Sequence, residues 1–336
     1  MALIDDSVLI FVPGIKGSEL ICADSGRPVW TGDVVVLLDA LAWNPLSLLR
    51  TDLKPGRVIR TISPINTDVY GQFLDSLAKR GFVPGANFET FAYDWRRDLR
   101  ETAEDFALAM REVAAPEINI VAHSMGGLVV RLALLRRPEV AKRVRCYVQA
   151  GTPCRGSARA FETLKTGRLP IPLPGKLIQD LSQRLNPDHK VELMDSLRGM
   201  VSLYQLLTPP DAQILWTKTA GALSALDPRV WLKEYRNLVD AGIDLHFQLE
   251  QFAFDRMRTI SESGLDTDAA YDVDGYFGSP RVRSQEPGDE TVGVASSVFG
   301  TPQNRQFTLK RQIHHDSLLG DIVYRYKIFE ELGIGP

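Results

Sequence analysis

Residues 118–127 read Ile-Asn-Ile-Val-Ala-His-Ser-Met-Gly-Gly and run into the apolar, helix-prone stretch Leu128 to Leu135. A β-branched run, a sharp turn and a helix in that order leave few folds open, because the turn residue is forced into a strained conformation. Its neighbours two before and two after must be small, so that strand and helix can approach. Ala122 and Gly126 meet that demand around Ser124. Glycine is the commoner residue at the first of these positions, and Ala122 adds a single methyl group. The pattern predicts a strand feeding a helix, with Ser124 presented at the turn as a nucleophile. A serine serving only as a helix N-cap would also follow a buried strand. That reading leaves the paired small residues and the adjacent His123 without a reason.

The rest of the chain fits a strand–helix alternation. Val8 to Val12 is a continuous apolar run ending in Pro13-Gly14, as expected of a strand covered on both faces. Residues 69–80 place Val69, Phe73, Leu74 and Leu77 on one helical face, with Gly81 as the stop. Phe88 to Tyr93 reads as a strand, Leu99 to Val113 as a helix, Ile118 to Ala122 as the strand before the turn, Met125 to Arg136 as the helix after it, and Val144 to Ala150 as the next strand. This is an α/β pattern: a mostly parallel central sheet with helices on both faces, as in the α/β-hydrolase fold. Residues 1–154 and 237–336 form the core. Residues 22–68 are too long for a βα loop and hold Val34 to Leu38, Leu41, Trp43, Leu46, Leu48 and Leu49. That insertion is expected to be either a satellite core or an apolar face that meets acyl chains or a membrane. Residues 155–236 form a second insertion, a cap or lid, with Leu169 to Gly175 as a stiff connector and amphipathic segments around 176–207.

Composition narrows the function. The 336 residues are 44% apolar and carry a net charge of −3, with Lys and Arg spread along the chain, which excludes a general nucleic-acid binder. No stretch of eighteen apolar residues suggests a membrane-spanning helix. The first residues lack a basic segment, and Val8 to Val12 is too short for a secretory signal. Three cysteines, Cys22, Cys146 and Cys154, cannot all pair with one another. A cytoplasmic protein is expected. Neither a Cys/His cluster nor a dinucleotide glycine pattern is present, so no metal or organic cofactor is expected.

A serine hydroxyl needs an imidazole within hydrogen-bond reach and a carboxylate to orient that imidazole. In this fold the chain order is Ser, acid, His. Of five histidines, His123 adjoins the serine and points elsewhere, while His189 and His246 fall in helical insertions. His314 and His315 remain, after the alternating stretch Phe307 to Ile313. An inward Ile313 at the end of the last strand favours His315. For the acid, Gly288-Asp289-Glu290-Thr291-Val292 is a glycine-opened turn leading into a β-prone segment, and Asp289 is the choice. Asp266, Asp268, Asp272 and Asp274 compete. Two amides must hold the developing oxyanion. Met125 follows the nucleophile, and Ile15 lies in the glycine-bearing loop Pro13 to Ser18.

Four blocks in order carry a resemblance: Val-Pro-Gly-Ile-Lys-Gly-Ser-Glu-Leu at 12–20, Phe-Ala-Tyr-Asp-Trp-Arg at 91–96, Ala-His-Ser-Met-Gly-Gly at 122–127 and Gly-Asp-Glu-Thr-Val at 288–292. With them the chain resembles the lecithin:cholesterol acyltransferase family, whose members include acyltransferases and lysosomal phospholipases. Residues 150–157 and 201–207 look like two further landmarks. The resemblance implies Asp289 as the acid, His315 as the base with Leu318-Leu319 following, and Ile15 as an oxyanion donor. Glu290 stands where the family more often has glycine. The secreted mammalian members carry disulfides and a signal peptide, and this chain shows no sign of either, so its setting is expected to differ.

The expectation is thus a serine esterase, lipase-type hydrolase or O-acyltransferase that acts on an apolar acyl ester, a phospholipid or other lipid, through an acyl-enzyme on Ser124. Trp43, Tyr93, Trp95 and Tyr204 are the aromatic candidates for substrate contact. For residues 93–96 a structural role competes and is favoured, with Asp94 and Arg96 as an ion pair beneath Trp95. Residues 34–49 are the candidate membrane contact. Tailoring of a secondary metabolite by acyl transfer or ester cleavage is a second reading. A non-catalytic interaction protein on a hydrolase scaffold would call for a missing triad member, and all three can be placed.

Overall fold

The computed structural model describes residues 7–169, 189–274 and 278–335. The connector expected from Pro170 to Gly175, and the amphipathic stretch up to residue 188, lie outside the described residues. The central sheet consists of β1 (Ser7–Val12), β2 (Phe88–Thr90), β3 (Glu117–His123), β4 (Val144–Ala150), β5 (Met257–Glu262) and β6 (Gln306–Leu309). Its order is β6-β5-β4-β3-β1-β2 and every pairing is parallel. All six residues of β1 are buried, as are all of β3 after Glu117, which explains their apolar character.

The main helices are α1 (Gly71–Ala78), α2 (Leu99–Glu112), α3 (Met125–Arg136), α4 (Ala158–Thr166), α5 (Arg236–Leu249) and α6 (Ile322–Glu331). Phe73, Leu74 and Leu77 form the buried face of α1, as their spacing predicts. α2 is capped by Asp98, whose carboxylate accepts from the Arg100 amide at 2.8 Å. α3 is buried from Met125 to Leu134 and even holds Arg131 inside, where Gln149 and the Phe299 carbonyl accept its N–H groups.

Strand order sets the place of the site. The chain moves from β1 to β2 on one side, then returns past β1 to β3 and onward to β6. Such a reversal opens a crevice beyond the carboxyl ends of the strands on either side of it. Val12 lies opposite Ala122, and His123 opposite Ala150, so the loops after β1, β3 and β4 emerge together.

The first insertion is built on a three-stranded sheet of Pro28–Trp30, Ser18–Cys22 and Leu53–Val58. The valine-rich run Val34–Leu38 is helical because Asp33 caps it, accepting from the Val35 and Val36 amides. Leu37, Leu41 and Leu48 join the same contiguous core as β1 and β3, so the block is no satellite. Its outer face leaves Val35, Trp43, Leu46 and Leu49 exposed. A second, four-stranded sheet, in the order Gly221–Ser224, Gln213–Thr217, Leu265–Asp272 and Arg281–Gly288, ties residues 213–224 to the turn at Asp289.

Three element boundaries depart from expectation. The strand at 88 ends at Thr90, because after the Phe91 amide bonds the Phe11 carbonyl the chain turns away from β1. The turn at Asp289 follows a strand and leads into a short helix, Val294–Val298, in place of a β segment. The last strand ends at Leu309, well before Ile313. Glu262, buried at the end of β5, explains this: one carboxylate oxygen accepts from the amides of Ser263, Gly264 and Arg311 at 3.0, 2.7 and 2.9 Å, and the other from the Tyr324 hydroxyl at 2.9 Å. It draws the chain off the sheet edge and fixes where the loop to His315 starts. Replacing Glu262 by Ala strips these donors of their acceptor and should lower stability by roughly 2–4 kcal/mol, read as a lower urea midpoint at an unchanged slope.

Candidate active site

Ser124 sits between β3 and α3 with φ 53° and ψ −131°, backbone angles that a side chain rarely tolerates. Its amide donates to the Ala150 carbonyl at 2.9 Å and its carbonyl accepts from Gly127 at 2.9 Å. The turn closes because Gly126 has no side chain: a methyl there would lie 2.7 Å from the Val12 carbonyl oxygen and closer still to that of Pro13. Gly14 is constrained likewise, since a methyl on it would come within 2.8 Å of Ser124 Cβ.

The structure brings Ser124, His315 and Asp289 into one hydrogen-bonded chain. His315 Nε2 lies 2.7 Å from Ser124 Oγ, and His315 Nδ1 lies 2.7 Å from Asp289 Oδ2. All three are buried. Asp289 Oδ1 accepts from the amides of Thr291 and Val292 at 3.0 and 2.6 Å. The His315 amide donates to the Asp289 carbonyl at 3.0 Å, which locks the two loops together. Burial pulls the His315 pKa down, but the Asp289 charge, the hydrogen bond to it and the charge of Asp316 outweigh that, and it ends above its ordinary 6.5.

Met125 is the first residue of α3, where an amide has no intrahelical acceptor. Ile15 and Lys16 line a narrow cavity at Ser124 together with His315 and Asp316. Its apolar wall comes from Pro153, Ala160, Leu169, Leu203, Leu206 and Val292. Arg159, at the start of α4, faces the same space. Lys16, Arg159 and Asp316 had no signal in the sequence beyond their nearness to loops of interest.

The four aromatic candidates do not line this cavity. Tyr93 donates its hydroxyl to the Pro13 carbonyl at 2.9 Å, and Trp95 donates its indole N–H to the Ser18 carbonyl at 3.2 Å, so both brace the loop after β1 from within the core. Arg96 pairs with Asp94 through two nitrogens at 2.8 and 2.6 Å, Asp94 buried and Arg96 partly so. Tyr204 is buried against Trp231, ring centres 5.1 Å apart, and Leu203 and Leu206 face the cavity from its segment. Trp43 is on the surface, 46% exposed.

The competing groups are engaged elsewhere. His314 is exposed and contacts Glu290 at 2.9 Å. His246 is buried in α5, donates to the Leu207 carbonyl at 2.6 Å, and is pushed by burial down to about 4. His189 opens the helix His189–Arg198 of the second insertion. Asp266, Asp268 and Asp272 lie along Leu265–Asp272, where Asp268 accepts from Tyr271 and Asp272 from Arg283; Asp274 pairs with Arg281.

A parallel sheet, a strained serine between strand and helix, and an acid and a histidine delivered by later loops define the α/β-hydrolase class. Over 97% of its length the chain superposes on 98% of a chain of the Tle4–Tli4 complex with a TM-score of 0.66 at 13% identity, which is likeness of fold. Residues 60–240, more than half of the chain, match the family model of lecithin:cholesterol acyltransferase, and the chain belongs to that family. It is 32% identical over 116 residues to the human lysosomal phospholipase A and acyltransferase, covering 31% of this chain and 28% of the relative. It is 23% identical over 189 residues to the Arabidopsis thaliana phospholipase A(1) LCAT3, covering 53% and 39%. The chain thus spans well under half the length of these curated relatives.

A base must be neutral to take a proton, so labelling of Ser124 by a fluorophosphonate should rise with pH through a midpoint above 6.5. In Asp289→Asn the raising charge is gone while burial stays. Labelling should slow by about 10²–10⁴, and the midpoint should move down, both followed by intact-mass kinetics across pH.

Proposed function

We propose that the protein is a serine acyl-ester hydrolase or O-acyltransferase that forms an acyl-enzyme on Ser124. The hydrogen-bonded chain from Ser124 through His315 to Asp289 at the head of an apolar-walled cavity carries this reading. His315 Nε2 takes the hydroxyl proton as Ser124 Oγ attacks the ester carbonyl, and the imidazolium that forms is held by Asp289. The amides of Ile15 and Met125 take the oxyanion. His315 then protonates the departing alcohol. Water, or a second alcohol, activated by the same histidine, releases the acyl group. Hydrolysis is the favoured outcome, and the family membership keeps acyl transfer beside it.

An apolar acyl ester suits Leu169, Leu203, Leu206 and Val292, which come from the 155–236 insertion and the acid loop. Lys16 and Arg159 on the same wall suit an ester whose alcohol bears a phosphate, as in a phospholipid. The exposed Val35, Trp43, Leu46 and Leu49 suit contact with a lipid surface. Among the described residues no helix is long and apolar enough to cross a membrane. The three cysteines are buried and free, which fits a reducing compartment such as the cytoplasm.

The test is release of p-nitrophenol from esters of increasing chain length. Turnover should rise toward long chains, and Ser124→Ala or His315→Ala should each remove about 10⁴–10⁶ of it. Addition of a long-chain alcohol separates hydrolysis from transfer through the alkyl ester formed. Absence of turnover and of transfer with folded protein would reject the reading.

A further inference from the structure

A second buried chain of hydrogen bonds runs behind the serine, through two residues the acyl-transfer mechanism does not use. The Gly14 amide and Tyr70 Oη are 2.9 Å apart, Tyr70 Oη and His123 Nδ1 are 2.9 Å apart, and His123 Nε2 and the His315 carbonyl oxygen are 3.0 Å apart. Tyr70 and His123 are both 3% exposed. We infer that Tyr70 and His123 form a positioning relay, which fixes the loop bearing the Ile15 amide relative to the loop bearing His315.

The direction of each bond is forced. A carbonyl oxygen only accepts, so His123 Nε2 carries a proton and donates it to His315. Burial first, and then the neighbouring His315 and Lys16, keep the His123 imidazole neutral, well below its ordinary titration range. One proton on a neutral ring leaves Nδ1 bare. Tyr70 must then donate its hydroxyl to Nδ1, and its oxygen is left to accept the Gly14 amide. Burial keeps that hydroxyl protonated. Each donor has one acceptor and none is left over, which is the condition for a polar chain inside a core.

The relay ends where geometry matters most. Gly14 precedes Ile15, and on its other side the Pro13 carbonyl is held by the Tyr93 hydroxyl. The loop is thus pinned on both sides against Ser124, whose Cβ leaves no room for a side chain on Gly14. At the other end, the carbonyl held by His123 belongs to the base itself. The groups facing His123 are Tyr70, His315 and Lys16, and the His123 and His315 rings are 4.9 Å apart. A proton on Nδ1 would point a donor at an oxygen that already takes the Gly14 amide. It would also leave the Tyr70 proton without its acceptor.

The kinetic consequence rests on the acyl-transfer reading; the tautomer does not. Tyr70→Phe keeps the ring against Phe11 and removes only the hydroxyl, and His123→Gln removes the ring nitrogen Nδ1 that faces Tyr70 and leaves a flexible amide in its place. Tyr70→Phe should lower kcat about 10- to 100-fold with KM within about threefold, as expected when an oxyanion donor is displaced. The double variant should be no slower than the slower single variant, because the two residues act as one unit. An unchanged kcat in Tyr70→Phe, or losses that multiply in the double variant, would overturn the relay while Ser124→Ala still tests the acyl-enzyme. Independently of turnover, ¹⁵N spectra of the histidine rings, with His123 identified by its loss in His123→Gln, should show an Nε2–H tautomer that does not titrate between about pH 5 and about pH 8. An Nδ1–H tautomer, or titration in that window, rejects the relay even if no ester is turned over.

Discussion

Ser124 is a non-glycine residue held at φ 53° and ψ −131°, a conformation that costs on the order of 1–3 kcal/mol and survives only where the surroundings over-determine it. Here they do. The Ala150 carbonyl holds its amide, the Gly127 amide holds its carbonyl, and the Val12 and Pro13 carbonyls stand where a side chain on Gly126 would be. These contacts come from β1, β4 and α3, so the turn is correct only when the register of the parallel sheet is correct. The strain and the packing are one constraint seen from two sides, and the hydroxyl is aimed beyond the strand ends as its result.

The acid and the histidine reach that hydroxyl by a different route. Neither lies on a central strand. Asp289 is delivered by Arg281–Gly288 of the four-stranded sheet, and its free oxygen is satisfied by two amides of its own turn. His315 starts a tight turn whose origin is set by Glu262 at the end of β5 and whose amide is bound to the Asp289 carbonyl. With one oxygen taken by two amides and the other by the His315 ring, the carboxylate is held in a single direction. The imidazole beside it is thereby raised in basicity despite its burial.

Much of this was legible in the residue order. Met125–Arg136 and Val144–Ala150 run between the expected residues, because a sharp turn and a continuous apolar run leave little latitude in where they begin and end. Ser124, His315 and Asp289 lie in one hydrogen-bonded chain; the turn chemistry alone marked Ser124, whereas Asp289 stood among competing acids until the family resemblance singled it out. What was hidden depends on partners far away in sequence. Ile313 looked like the end of a strand because alternation is local, whereas Glu262, which ends the strand earlier, acts from across the sheet edge. Tyr204 looked like a pocket wall because an aromatic residue in a landmark block draws attention, whereas for Tyr93 and Trp95 a structural role was already the favoured of two readings. Their polar ends or ring partners place all three in the core. Tyr70 carried no signal at all, since one tyrosine before an amphipathic helix has no period or motif.

The span that matches the family model, residues 60–240, holds Ser124, His123, Tyr70, Arg159 and the leucines of the cavity wall, yet it includes neither Ile15, Asp289 nor His315. The matched part alone would therefore present a strained serine without the histidine that bonds its hydroxyl or the carboxylate that holds that histidine. The groups that supply the rest sit on the flanking segments, and the Tyr70–His123 pair lies within the matched span while bonding outward on both sides, to Gly14 before it and to His315 after it. A chain that kept the serine turn but altered either flank would lose the acceptor or donor at one end of this pair, and with it a buried polar connection between the loop at Gly14 and the loop at His315. The two flanks are thus bound to each other through the matched core, which ties the position of His315 to that of the loop at Gly14 and Ile15.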